Sequence, residues 1–161
     1  MLARLWLEGI SGLSPEYVPD DEPSPDARLL IGDRALHHES SRHDVDLGEA
    51  WYSATGLTFV FAVWAVHADR ADARLTDILL DAKLDGVKQL DEIAAEEHAA
   101  RGLSEELCRT YLTRHIRYDL NEDATAGLRW FLSLACEHGL LEMASPRLDD
   151  MILPIEGRQR A

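Results

Sequence analysis

Nine consecutive residues, Thr58 to Val66 (TFVFAVWAV), carry no charge and are dominated by β-branched and aromatic side chains. Bounded by Gly56 on one side and the polar stretch His67 to Asp72 on the other, the run reads as a fully buried strand. A strand apolar on both faces has to be covered on both, which calls for a parallel or mixed sheet wrapped by helices. The expected fold class is therefore α/β.

The flanking sequence supplies the helices. Asp46, with Glu49 three residues later, is a variant of the capping box and starts a helix carrying Leu47, Ala50 and Trp51 on one side, closed by Thr55-Gly56. From Ala73 to about Arg101 a long helical stripe runs through Leu75, Ile78, Leu79, Ala82, Gly86, Leu90, Ile93 and Ala94, with Gly86 a point of kinking or close approach and Gly102 the stop. Ser104 caps a shorter helix that turns Leu107, Cys108, Tyr111 and Leu112 inward. Asn121 caps the last one, which buries Leu128, Phe131, Leu132 and Ala135 before Gly139. Leu2 to Ile10 has a helical face but no cap, as if the chain had been cut inside an element. Two further strands are expected, over residues 15–18 and 27–31, the second stopped by Gly32-Asp33. Strand, Gly-Asp and a short helix from Arg34 put a loop where open α/β sheets hold ligands, which marks Gly32 and Asp33. A turn residue bonding its own backbone is the plainer reading of Asp33.

Thirty acidic residues against sixteen Lys and Arg give a net charge of −14, which disfavours nucleic acid and anionic membrane surfaces in the absence of a basic patch, and none is visible. A small anionic substrate remains compatible, since one placed Arg can hold a carboxylate. Cys108 and Cys136 have no metal-type spacing and read as reduced thiols, which suits the cytoplasm. His37, His38 and His43 match no standard metal site and read as a solvated loop. The start of the chain lacks the features of a signal peptide, and no apolar run is long enough for a membrane span. No catalytic motif stands out. Thr55 reads as a helix C-terminal residue or a cleft residue, and Phe59, Phe61 and Trp64 as core or as a pocket for an unsaturated ring.

Three stretches, in order, carry a resemblance: LLIGDRAL (Leu29 to Leu36), DLGEAWYSATGLTFVFAVW (Asp46 to Trp64) and YLTRHIRYDLNEDATAGLRWF (Tyr111 to Phe131). From about Leu2 to Leu141 the chain resembles the chorismate dehydratases of the futalosine route to menaquinone, whose fold is similar to that of type II periplasmic solute-binding proteins. The resemblance implies a partial version of that fold. Residues 1–57 would form part of the second α/β lobe, 58–66 a hinge strand, 67–141 the helical C-terminal part of the first lobe and 142–161 a tail.

It also implies an N-terminally truncated chain, because the family's N-terminal region, expected to hold the catalytic residues, has no counterpart here. Thr58 stands where family members usually have Pro. The implied reaction is the lyase-type conversion of chorismate to 3-[(1-carboxyvinyl)oxy]benzoate and water, driven by aromatisation, with no metal or organic cofactor. Gly32, Asp33, Thr55 and Phe59 would line the substrate. Helices lacking their sheet would leave apolar surface through which the chain alone self-associates. Two alternatives stay open: the sister enzyme that forms dihydroxynaphthoate, which typically has a His in place of Gly32-Asp33 and lacks the Phe-Val-Phe-Ala-Val-Trp run, and a non-catalytic ligand-binding or degenerate domain.

Overall fold

A computed structural model describes residues 1–67, 70 and 72–142. Its elements are all helical. α1 (Leu2–Arg4) runs into a π-helical stretch, Leu5–Ile10. α2 (Asp33–Leu36) and α3 (Leu47–Thr55) follow. α4 (Ala73–Lys88), α5 (Leu90–Glu97) and a 3-10 turn (Ala99–Arg101) come next. α6 (Glu105–Thr110) continues π-helically through Tyr111–His115, and α7 (Glu122–Glu137) closes the described chain.

The α/β expectation, and with it the partial periplasmic-binding-protein-like fold, is overturned: there is no strand among the described residues. Residues 15–18, 27–31 and 58–66 all lie outside regular structure. Nor is the nine-residue run a buried core element. Phe61 is 75% exposed and Trp64 62%, and Ile31 of the second expected strand is 71% exposed. The physical reason is that a strand is a paired object. β-branched and aromatic residues favour extended backbone, but only a neighbouring ladder turns an extended segment into sheet. Residues 58–66 make no backbone–backbone hydrogen bond among the described residues.

Helices fared differently because their stop and start signals are local. The Asp46 carboxylate accepts from the Gly48 and Glu49 amides at 2.8 and 3.0 Å, as a capping residue should. Asp72, Ser104 and Asn121 cap α4, α6 and α7 through the amides of Leu75, Leu107 and Ala124. The long helical pattern divides at Gln89 rather than at Gly86, the Gln89 amide turning back to the Gly86 carbonyl at 3.0 Å.

The molecule divides into two compact units. One comprises Met1–Leu29, Ser40–Phe61 and the chain from Leu120. Leu5, Trp51 and Ala135 are fully enclosed there, with Ala124 nearly so. α3 packs on the N-terminal π-helical stretch. Trp51 on α3 meets Phe59 and Phe131 edge-to-face, with ring centroids 5.6 and 5.9 Å away. Gly127 makes this packing possible: a Cβ at that position would overlap the Thr58 carbonyl, so the main chain after α3 lies directly on α7. Of the expected α7 stripe Ala135 is buried, while Leu128, Phe131 and Leu132 are half-buried.

The other unit comprises Leu30–Glu39 and Ala62–Asp119. Its core is a small cluster of Ala94, Leu103 and Cys108, with Leu36 and Leu112 packed against it. α5 packs chiefly on α6, and Arg109 ties the two together by pairing with Asp91 at 2.8 Å and with Glu105. α4 buries no residue and its Ile78 is exposed. Its Lys83 pairs with Asp119 at 2.5 Å. Both cysteines are free, Cys108 buried and Cys136 half-buried. Of the expected tail, residues 143–161 lie outside the described residues.

Candidate functional site

In the second unit Gly32 and Asp33 form the start of α2. Gly32 adopts φ 63°, ψ −138°, a conformation open to glycine and costly for other residues. Its carbonyl accepts from the Ala35 and Leu36 amides at 2.9 and 3.2 Å, so the turn is fixed by its own hydrogen bonds without a preceding strand. The Asp33 carboxylate is 3.5 Å from Arg101 Nη1, and Arg101 Nη2 donates to Glu97 at 3.3 Å. His37 Nε2 lies 2.9 Å from the Arg101 carbonyl, and His98 Nδ1 lies 3.0 Å from the Leu103 carbonyl. Two imidazoles thus hold the turn that presents Arg101.

Both Arg101 and Asp33 are about half exposed, so their pairing is worth only ~0–1 kcal/mol. One cation against two carboxylates leaves the cluster net negative. For an anionic ligand, Arg101 is the attractive group, and it must be shared with or released from Asp33 and Glu97. Sequence reasoning passed over Arg101. Its position just before a helix-ending Gly was visible, but its 68-residue reach back to Asp33 was not.

Thr55 and Phe59 belong to the first unit and have defined local tasks. The Thr55 hydroxyl donates to the Trp51 carbonyl at 2.8 Å and accepts from the Leu57 amide at 3.1 Å, which ends α3 ahead of the left-handed Gly56. Phe59 stands at the centre of an aromatic cluster. Its ring is 5.6 Å from Trp51, 4.8 Å from Phe61 and 5.0 Å from Phe131, all edge-to-face. Within this cluster Trp51 Nε1 is buried with no hydrogen-bond partner among the described residues.

The same unit has an open groove of about 400 Å³ lined by Arg4, Glu8, Gly12, Leu13, Ser14, Pro15 and Tyr17, none of them singled out by sequence reasoning. Arg4 donates to Glu8 at 3.2 Å and sits 5.0 Å over the Tyr17 ring. Hydrogen bonds from Tyr17 and Arg4 hold the Glu8 carboxyl below its usual range, and Glu8 in turn raises Arg4. Loss of water around the Tyr17 phenol, reinforced by its bond to Glu8, pushes that group up. The charges cancel, leaving a neutral, solvent-open groove.

No group of three or more His, Cys, Asp or Glu among the described residues could hold a metal ion. Of the histidine trio, His37 is engaged with the Arg101 carbonyl, and His43 Nε2 accepts from Arg42 at 3.0 Å. No helix of the described residues is long and apolar enough to cross a membrane.

Residues 1–137 match the model of a family described as menaquinone biosynthesis. A chorismate dehydratase of Thermus thermophilus is 33% identical over 125 residues, which cover 66% of this chain and 46% of that relative. The match thus spans less than half of the relative's length. No solved structure matches the chain.

Proposed function

Because this chain belongs to the menaquinone-biosynthesis family, we propose that it contributes to a chorismate dehydratase, an enzyme removing water from chorismate to give 3-[(1-carboxyvinyl)oxy]benzoate. The observation that carries this reading is the 33% identity to the Thermus thermophilus chorismate dehydratase over 125 residues. Eliminating water from a cyclohexadiene ring leaves an aromatic product, so the reaction is driven by aromatisation. The protein's task is to hold a dicarboxylate and position the departing groups.

Gly32 and Asp33 are proposed to line the substrate from the second unit. Asp33 would act there by orienting Arg101, the cation that a carboxylate would take over. Thr55 and Phe59, in the first unit, are proposed as substrate-binding residues that would act by fixing the end of α3 and the aromatic cluster around Trp51.

The test is chorismate turnover, followed by chromatography of the product. The 161-residue chain is assayed alone and mixed with a separately made polypeptide covering the part of the Thermus relative outside the match. Turnover in either sample, abolished or strongly reduced by Asp33→Ala, is the expected result. An assembled mixture without turnover would sink the enzymatic reading and favour a non-catalytic binding domain. Full activity with Asp33→Ala would remove Asp33 from the site.

A further inference from the structure

Within the second unit, α2 grips one residue at two points. Asp33 and His37 are one helical turn apart, and the His37 amide bonds back to the Asp33 carbonyl at 3.0 Å. That spacing puts both side chains on one side of α2. The Asp33 carboxylate meets the Arg101 guanidinium at 3.5 Å, while His37 Nε2 meets the Arg101 carbonyl at 2.9 Å. A carbonyl only accepts, so Nε2 of His37 carries the proton and donates. The His37 ring rests beside Gly102, whose left-handed φ of 65° ends the 3-10 turn.

The main chain and the side chain of Arg101 are held with different firmness. Its amide donates to the His98 carbonyl at 3.2 Å, and His98 Nδ1 donates to the Leu103 carbonyl at 3.0 Å, so the turn is fixed on both sides of Gly102. The guanidinium contacts, 3.5 Å to Asp33 and 3.3 Å to Glu97, are longer than the ~2.7–3.2 Å of an ordinary N–H···O bond, and all three side chains are about half exposed. A fixed main chain beneath a loosely engaged guanidinium suits partner exchange. A carboxylate can take the two Nη donors as a forked pair while Arg101 stays in place. Because the turn is ordered beforehand, the ligand does not have to order it.

We propose that His37 is a positioning residue for ligand capture: its bond to the Arg101 carbonyl holds Arg101 ready to receive one carboxylate of a small dicarboxylic acid. The proposal rests on the dehydratase reading for the class of ligand alone.

The experiment is a chorismate titration of the full chain, isotope-labelled at arginine, with the Arg101 guanidinium followed by NMR. The Arg101 signal shifts and saturates. His37→Phe keeps a ring beside Gly102 but removes the donor, and it weakens binding about three- to tenfold. His37→Gln returns an N–H to a similar reach and restores the affinity, an order that packing alone would not give. His37→Ala serves as the donorless variant if His37→Phe alters the helical circular dichroism. Unchanged affinity in a folded donorless variant, weakening that His37→Gln fails to relieve, or an Arg101 signal indifferent to chorismate would each overturn the proposal. Turnover in the assembled mixture with the Thermus polypeptide while Arg101 stays silent would overturn it and leave the dehydratase reading standing. An Arg101 response weakened by His37→Phe, without turnover in that mixture, would do the reverse.

Discussion

Two neighbouring stretches, α3 from Leu47 to Thr55 and the run from Thr58 to Val66, differ in how their structure is specified. α3 is closed at both ends by its own residues, Asp46 at the start and Thr55 with Gly56 at the end, and it seats a fully buried Trp51. The run is more apolar, yet from Phe61 onward it is exposed and without regular structure. A helix meets its hydrogen bonds within a few residues, so its signals are local. A strand meets its own only through another segment, and composition names no partner. The stretch with the stronger hydrophobic signal is therefore the less determined one.

The largest expected effect separates the two directly. Trp51→Ala removes an enclosed ring that packs on Phe59 and Phe131 and should cost about 3–5 kcal/mol in urea unfolding. Phe61→Ala, at an exposed ring whose edge-to-face partner is Phe59, should cost no more than about 1 kcal/mol. Equal costs would mean that the run is as much core as α3.

Gly127→Ala sharpens the comparison where the two stretches meet α7. Helix propensity alone would make alanine better by about 1 kcal/mol. The overlap with the Thr58 carbonyl should cost more than that gain, up to ~3 kcal/mol, giving net destabilisation of at most about 2 kcal/mol. Stabilisation would show that Thr58 does not press on α7.

Asp46→Ala should cost about 1 kcal/mol, seen as a lower urea midpoint, through loss of the bonds to Gly48 and Glu49. No change would mean that α3 needs no cap once Trp51 is buried.

These cases show what could be read from the residues. The caps Asp46, Ser104 and Asn121 were legible because each acts within three residues of itself. The short helix after Gly32 was legible for a similar reason, since the Gly32 carbonyl accepts from the Ala35 and Leu36 amides within four residues of itself. The three expected strands failed because alternation and β-branching specify extended backbone but not pairing. Arg101 beside Asp33 escaped notice because the contact spans 68 residues, and the Arg4, Glu8, Tyr17 groove because residues 12–17, outside regular structure, carry no local signal that fixes where Tyr17 comes to lie.

The smallest effect is a pH dependence in that groove. In the folded state the Glu8 carboxyl lies below its usual range, so the unfolded chain binds more protons as pH falls. The contribution of Glu8 is therefore present above the unfolded-state pKa and is lost as pH falls through the folded-state value. The difference in Tm between the wild-type chain and Glu8→Gln should be present at neutral pH and vanish in that acidic window. A difference that persisted at the lowest pH would point to packing rather than charge.

The most direct measurement of the contrast is amide hydrogen exchange from Asp46 to Val66, at a dilution where the chain sediments as a monomer. Slow exchange in the last turns of α3, with near-intrinsic exchange from Phe61 to Val66, is the predicted result. An alternating pattern of protected amides across residues 58–66 in the monomer would contradict it, because it would show that the run already has a strand partner within its own chain.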